Sequence, residues 1–441
     1  MRGLRSLIVL LVIAIPLGWF AWRESQRPAG DDDARDKVFA VEADQIEEIA
    51  IKAEGGDQTR LRKSGTDWQI VEPATAPSDS VEVSGLTRNL ATLEIQRVVD
   101  ENPPDLAEYG LDTPRIEVAF KAAGEEHRLL LGEKTPPGTD LYARRGSDST
   151  VFLIASYLES TFNRTTFDLR DKAALKVERD KIETVEIAAG GRTLRFTKPA
   201  GEWQIAAPIQ ARADYGAVEG LVGRLAGLQM RAIVEESGGG APGKYGLEAP
   251  AATVRLGTGS SQATLALGAP AGEGTVYARD LSREAVFTVD ASLVEDLKKG
   301  PVDFRQRDLF DARSFNATHL EVVHAGTTHT FEKATQKNEQ GQDEEVWRQT
   351  APEARTVERG AFDSLLSALT GARATGFVDA APKGAAELTA TVRFDDGKRE
   401  ERVAFVRSGT MAHALRAGEP GAATIEAGTV DGILKALQEL R

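Results

Sequence analysis

A pattern recurs along this chain at a spacing of about 135 residues, so its fold must be built from one unit made more than once. Trp68-Gln69-Ile70 returns as Trp203-Gln204-Ile205, and Tyr142-Ala143-Arg144 returns as Tyr277-Ala278-Arg279. Gly55 and Val151-Phe152 return at the same offset as Gly190 and Val286-Phe287, and Arg35-Asp36 as Arg170-Asp171. Tyr109-Gly110-Leu111 comes back as Tyr245-Gly246-Leu247, and Leu131-Gly132 as Leu267-Gly268, each one residue later. Ordered matches at a nearly constant offset mark a duplication.

A third copy is fainter. Arg307-Asp308 follows the second Arg-Asp pair, and Trp347 follows Trp203 at a longer interval, which the polar insert Ala334 to Glu345 explains. Five residues after each tryptophan stands a proline: Pro73, Pro208 and Pro352. Eleven residues after it stands an acid: Asp79, Asp214 and Glu358. The Tyr-Gly-Leu element has no third counterpart.

Each copy reads as strands followed by a helix and then more strands. Ile46–Ile51 and Ile182–Ile187 alternate apolar and polar residues as half-buried strands do. Gly55-Gly56-Asp57 and Gly190-Gly191 supply hairpin turns, and the Trp-Gln-Ile strand completes a meander. Asp79 and Asp214 are placed as helix N-caps. Val83, Leu86, Leu90 and Leu93 then fall on one helical face, as do Val218, Leu221, Leu225 and Leu228. Further strands are expected near 116–120, 128–131, 141–144 and 151–154, with helices near 156–162, 292–298 and 430–440. The fold class is therefore α+β: tandem repeats of a strand-rich unit with helices packed on the sheets. Repeat 1 is set at 38–169, repeat 2 at 170–306 and the divergent repeat 3 at 307–441.

The N-terminus has a different character. Arg2 and Arg5, in a short n-region of residues 1–6, precede the uncharged run 7–22. As a helix this run spans roughly 24 Å, short of a hydrocarbon core of ~30 Å. Snorkelling arginines and the interfacial Trp19 and Trp22 make up the difference. The bulky Trp19-Phe20-Ala21-Trp22-Arg23 stretch is a poor signal-peptidase site, which favours a retained transmembrane anchor over a cleaved signal peptide. Positive charge on the short side puts the N-terminus in the cytoplasm and the rest outside the inner membrane, in the periplasm. Residues 23–37 read as a polar linker, with Asp31-Asp32-Asp33 solvated rather than calcium-binding.

Composition excludes more than it suggests. A net charge of −14 argues against nucleic acid as a partner. No cysteine is present, so thiol nucleophiles, disulfides and thiolate-bound zinc are ruled out. His319, His324 and His329 are spaced by five, which on a strand turns the middle one to the opposite face. No nucleophile elbow or phosphate-binding loop is present, and Gly238-Gly239-Gly240 reads as a linker. Residues thus nominate no catalytic group, no metal site and no cofactor, and they name no small-molecule ligand.

Structural readings outweigh chemical ones at the repeated marks. Trp68, Trp203 and Trp347 are placed in the core against the helices rather than around a sugar-binding groove. Tyr109-Gly110 and Tyr245-Gly246 are read as turns needing glycine rather than as ligand loops. Arg144 and Arg279 are expected to meet an intramolecular partner, such as an adjacent acidic side chain, rather than a ligand carboxylate.

An N-terminal anchor, Trp68-Gln69-Ile70 with Pro73, and Tyr109-Gly110-Leu111-Asp112-Thr113-Pro114 together resemble the bacterial family called domain of unknown function 4340. Tyr245-Gly246-Leu247-Glu248-Ala249-Pro250 repeats the last motif, so the resemblance covers roughly residues 35 to 305. It implies no activity and no catalytic residues. It does imply an envelope role beside ABC-type or gliding-motility transporter systems. The resulting expectation is a non-enzymatic, membrane-anchored exported scaffold or accessory subunit that contacts other envelope proteins. The alternative is a module that binds or hydrolyses cell-wall glycan or polymer in a cleft between repeats.

Overall fold

The computed structural model describes residues 35–146, 148–236, 242–338, 340–409 and 411–440. The proposed anchor at 7–22, most of the linker and the Gly238-Gly239-Gly240 stretch lie outside the described residues. Among the described residues, no helix is long and apolar enough to cross a membrane.

Among the described residues the strands form three antiparallel sheets of nine strands each. The first contains β1 (Ile46–Lys52), β2 (Gln58–Ser64), β3 (Asp67–Glu72), β4 (Ala76–Pro77), β5 (Arg97–Asp100), β6 (Ile116–Ala122), β7 (Glu125–Lys134), β8 (Asp140–Arg145) and β9 (Val151–Ala155). Their spatial order is β4-β3-β2-β1-β6-β7-β8-β9-β5, and the other two sheets repeat it strand for strand. Short turns make this meander local. At Gly190-Gly191 both residues have positive φ, 57° and 74°, the geometry that suits a two-residue hairpin.

Between the fourth and fifth strands of each sheet lies a helix: Ser80–Ala91, Tyr215–Ala226 and Arg359–Thr370. Each starts at an acidic cap. Asp79 accepts from the Val81 and Glu82 amides at 2.9 and 3.2 Å, Asp214 from Ala217 at 2.8 Å, and Glu358 from Gly360 at 2.8 Å. Val83, Leu86 and Leu90 are buried in the first core, and Leu93 joins them from just past the helix end.

Strand β6 buries alternate residues against that core, and β1 buries Ile46, Ile49 and Ile51, a bulge between Ile46 and Glu48 shifting the alternation. By contrast β9 buries Val151, Phe152, Leu153 and Ile154 in succession. Phe152 and Ile154 face the main core, while Val151 joins a second small cluster with Leu111 and Leu130. A continuous apolar run is what a strand covered on both faces requires. The cover on the second face comes from the Tyr109-Gly110-Leu111 segment.

The described chain forms two compact units. One reaches Lys172 and holds the first sheet; the other starts at Ala173 and holds the second and third. In the third sheet the polar insert prolongs a hairpin. Strands Thr327–Lys337 and Asp343–Ala351 stay paired out to Lys337 and Asp343.

One sequence match does not superpose. Equivalent isolated bridges join Lys37 to Glu94, Ala173 to Gln229 and Asp308 to Arg373, so Asp308 corresponds to Lys37 and not to Asp36. Arg170, bridged to Ser78, corresponds instead to Arg305, bridged to Ala213. The recurring Arg-Asp pairs therefore occupy different places, because two-residue identities between charged residues arise easily at repeat junctions.

Candidate functional site

The repeated marks sit at packing positions of differing depth. Trp203 is 3% exposed, and its indole Nε1 donates to Glu219 Oε1 at 2.7 Å. Lys198 Nζ donates to the same oxygen at 2.7 Å and lies 5.1 Å from the indole ring. The Lys198 hydrogen bond, helped by Trp203, holds the Glu219 carboxyl below the ordinary carboxylate range despite burial. Trp347 packs 4.4 Å from the Phe362 ring, whereas Trp68 is only half-buried against its core. Pro73, Pro208 and Pro352 each follow a cis peptide bond.

Tyr109 packs edge-on against Tyr142 at 5.1 Å, and Tyr245 packs tilted against Tyr277 at 4.9 Å. Gly110 and Gly246 have φ of 66° and 68°, left-handed conformations that suit glycine. Two repeated motifs explain each other here. A Cβ on Gly132 would overlap the Tyr109 carbonyl oxygen, and a Cβ on Gly268 would overlap that of Tyr245. In the third sheet the paired strands put Val406 at the place of these glycines and His413 at the place of Tyr142 and Tyr277. The bare glycine and the segment resting on it are lost together.

Arg144 and Arg279 have intramolecular partners, but among the described residues these are not acidic side chains. Each bonds a main-chain oxygen of the turn after its own strand, Asp148 at 3.3 Å and Arg283 at 3.0 Å. A tight turn brings those carbonyls closer than any carboxylate. His324 Nδ1 lies 2.8 Å from the Glu387 oxygen, and His319 stands near Glu332. Among the described residues, no three histidines or carboxylates are grouped to hold a metal ion.

A cavity of about 590 Å³ opens in the first unit, and periodicity gave no sign of it. Cross-strand pairing lays out its floor as a row: Arg60 on β2, Ala50 on β1, Ala119 on β6 and Arg128 on β7. Lys121, Glu48, Arg145 and the leading residues Val38, Phe39 and Ala40 contribute to the wall. The same row in the second sheet reads Arg195, Glu186, Arg255 and Thr264, with Arg255 and Glu186 paired at 2.5 Å. In the third it reads Thr330, Glu321, Thr391 and Arg402. Only the first copy has two alanines where the others carry larger polar side chains.

A second charged cluster joins the second and third sheets within their unit. Arg212, from the short strand Ala211–Arg212, donates through Nε to Glu419 at 2.8 Å and also pairs with Asp311. Arg305 reaches the other Glu419 oxygen at 3.0 Å, and Arg416 pairs with Glu401 at 2.6 Å. Burial pushes the Glu419 carboxyl up, but the Arg212 charge and the hydrogen bonds from Arg212 and Arg305 outweigh it, holding it below the ordinary range. Burial and then the Asp311 charge push Glu401 the opposite way, upward. The space left around Arg212, Arg305 and Glu419 is about 10 Å³, so these side chains fill it.

Comparison with curated proteins finds no match. A family model described as Domain of unknown function (DUF4340) matches residues 68–202 and again 203–391. Each match begins on a repeat tryptophan, Trp68 and Trp203, and runs across a junction between repeats. With matches over well more than half of its length, the chain belongs to the DUF4340 family.

Proposed function

We propose that this protein is a non-enzymatic scaffold or accessory subunit of an envelope transport assembly, held to the inner membrane through residues 7–22 and exposed to the periplasm. The observation that carries this reading is what the duplication kept. Trp203, Gly110, Gly132 and their counterparts fill interiors or permit backbone contact, and such positions preserve a shape. The ionic cluster supports it further, since Arg212 of the second sheet and Arg305 beside it converge on Glu419, in a turn of the third sheet, and fill the space between them. A filled junction suits a rigid spacer better than a substrate cleft. Partners on this reading are other envelope proteins, with no nucleic acid.

Crosslinking in native membranes, followed by mass spectrometry, tests it. The expected result is a reproducible set of integral-membrane neighbours, lost when residues 1–22 are replaced by a cleavable signal peptide. Recovery of no consistent neighbour would overturn the scaffold role, and release of the unaltered protein by salt alone would overturn the anchor.

A further inference from the structure

We infer that the cavity of the first unit is a binding site for an oxyanion-bearing molecule, carboxylate or phosphate, that lies along the Ala50-Ala119 floor. The argument begins with a comparison the chain makes with itself. In the second sheet the equivalent floor is occupied by the Glu186–Arg255 ion pair, which covers the strands and neutralises its own charge. In the first sheet both partners are alanine, leaving a cavity of about 590 Å³.

Of the four cations around that floor, Arg145 is held by Asp148 at 2.9 Å, and the others are held loosely or not at all by carboxylates. Among the described residues, Lys121 and Arg128 make no ion pair, while Glu48 is engaged by Arg62 at 3.0 Å. Arg60 holds Glu72 at only 3.4 Å, with both side chains about half exposed. Gly146 gives the Arg128 stem its room, because a Cβ there would come within 2.8 Å of Arg128 Cβ. Three strand spacings separate the two arginines, roughly 14 Å between backbones, so their guanidiniums approach a ligand on the floor from opposite sides. Four cations, Arg60, Lys121, Arg128 and Arg145, outnumber two carboxylates, Glu48 and Glu126, around the hollow, a local excess of positive charge in a chain of net charge −14. Guanidinium forks and an ammonium are donors only, and they match carboxylate and phosphate oxygens.

Full-length protein in phosphatidylcholine nanodiscs provides the test, by calorimetric titration with inorganic pyrophosphate and, separately, succinate. One saturable site is expected for at least one of them. Lys121→Ala with Arg128→Ala should weaken it at least tenfold. Ala50→Glu with Ala119→Arg, which installs the ion pair of the second sheet, should abolish it. Arg393→Ala, an exposed change in the third sheet, should leave it unaltered. Repeating the titration in nanodiscs containing phosphatidylglycerol separates the sources. Competition there identifies a lipid headgroup as the occupant, and unchanged affinity identifies a free solute. Absence of binding in every arm, or equal binding by both cavity variants, overturns the site whatever becomes of the scaffold role.

Discussion

The carbonyl oxygen of Tyr109 occupies the volume that a side chain on Gly132 would need, and Tyr245 stands in the same relation to Gly268. Gly132→Ala should therefore lift the Tyr109-Gly110-Leu111 segment off the sheet, at a cost of about 1–3 kcal/mol for overpacking. Hydrogen exchange reads this locally. Amides from 106 to 111 should exchange faster, while those of 400–408 in the third sheet stay as they were. Unchanged protection at 106–111 would show that the contact does not hold the segment.

The tryptophans should separate by depth. Trp203→Ala removes a buried ring and leaves Glu219 without one donor, for a loss of about 3–5 kcal/mol. Trp68→Ala should cost clearly less, because Trp68 is only half-buried. Thermal melting of the two variants, side by side, checks the order; equal losses would contradict the packing described.

Acid should loosen the junction of the second and third sheets. The Glu419 carboxyl is held below its ordinary value, so its contribution is fully present above about pH 4.3, the unperturbed glutamate value. It is lost as pH falls through the lower folded value. Glu419→Ala should leave Arg305 and Arg212 buried without that partner and cost about 3–5 kcal/mol at neutral pH. Denaturant midpoints measured from pH 3 to 7 should show a shallower acid slope in the variant than in the parent.

The prolonged hairpin of the third sheet should be dispensable. Its outer rungs, from Gln336 paired with Glu344 to Lys337 paired with Asp343, lie beyond the main core and carry polar side chains. Replacing residues 336–344 by Asn-Gly should shift the melting temperature by only a few degrees, since shortening a loop changes closure entropy slowly. A collapse of the third sheet would show that these rungs anchor it.

Much of the fold was legible because burial imposes a period. The face Val83, Leu86, Leu90 and the caps Asp79 and Asp214 could be read directly, since each depends on neighbours a few residues away. The matched Arg-Asp pairs misled, because charged dipeptides at junctions answer to no packing constraint. Arg144 and Arg279 have the intramolecular partners expected of them, but the kind of partner was not legible: a main-chain oxygen leaves no trace in residue identity.

The sequence by itself determined that one unit was duplicated, where its strands and helices run and which side chains turn inward, because periodicity and turn chemistry are local. Only the tertiary structure decided that Gly132 lies under Tyr109, that Arg212 meets Glu419, and that two alanines on separate strands leave a cationic hollow in one sheet. Those relations join residues far apart in the chain, and the register of strand pairing sets them.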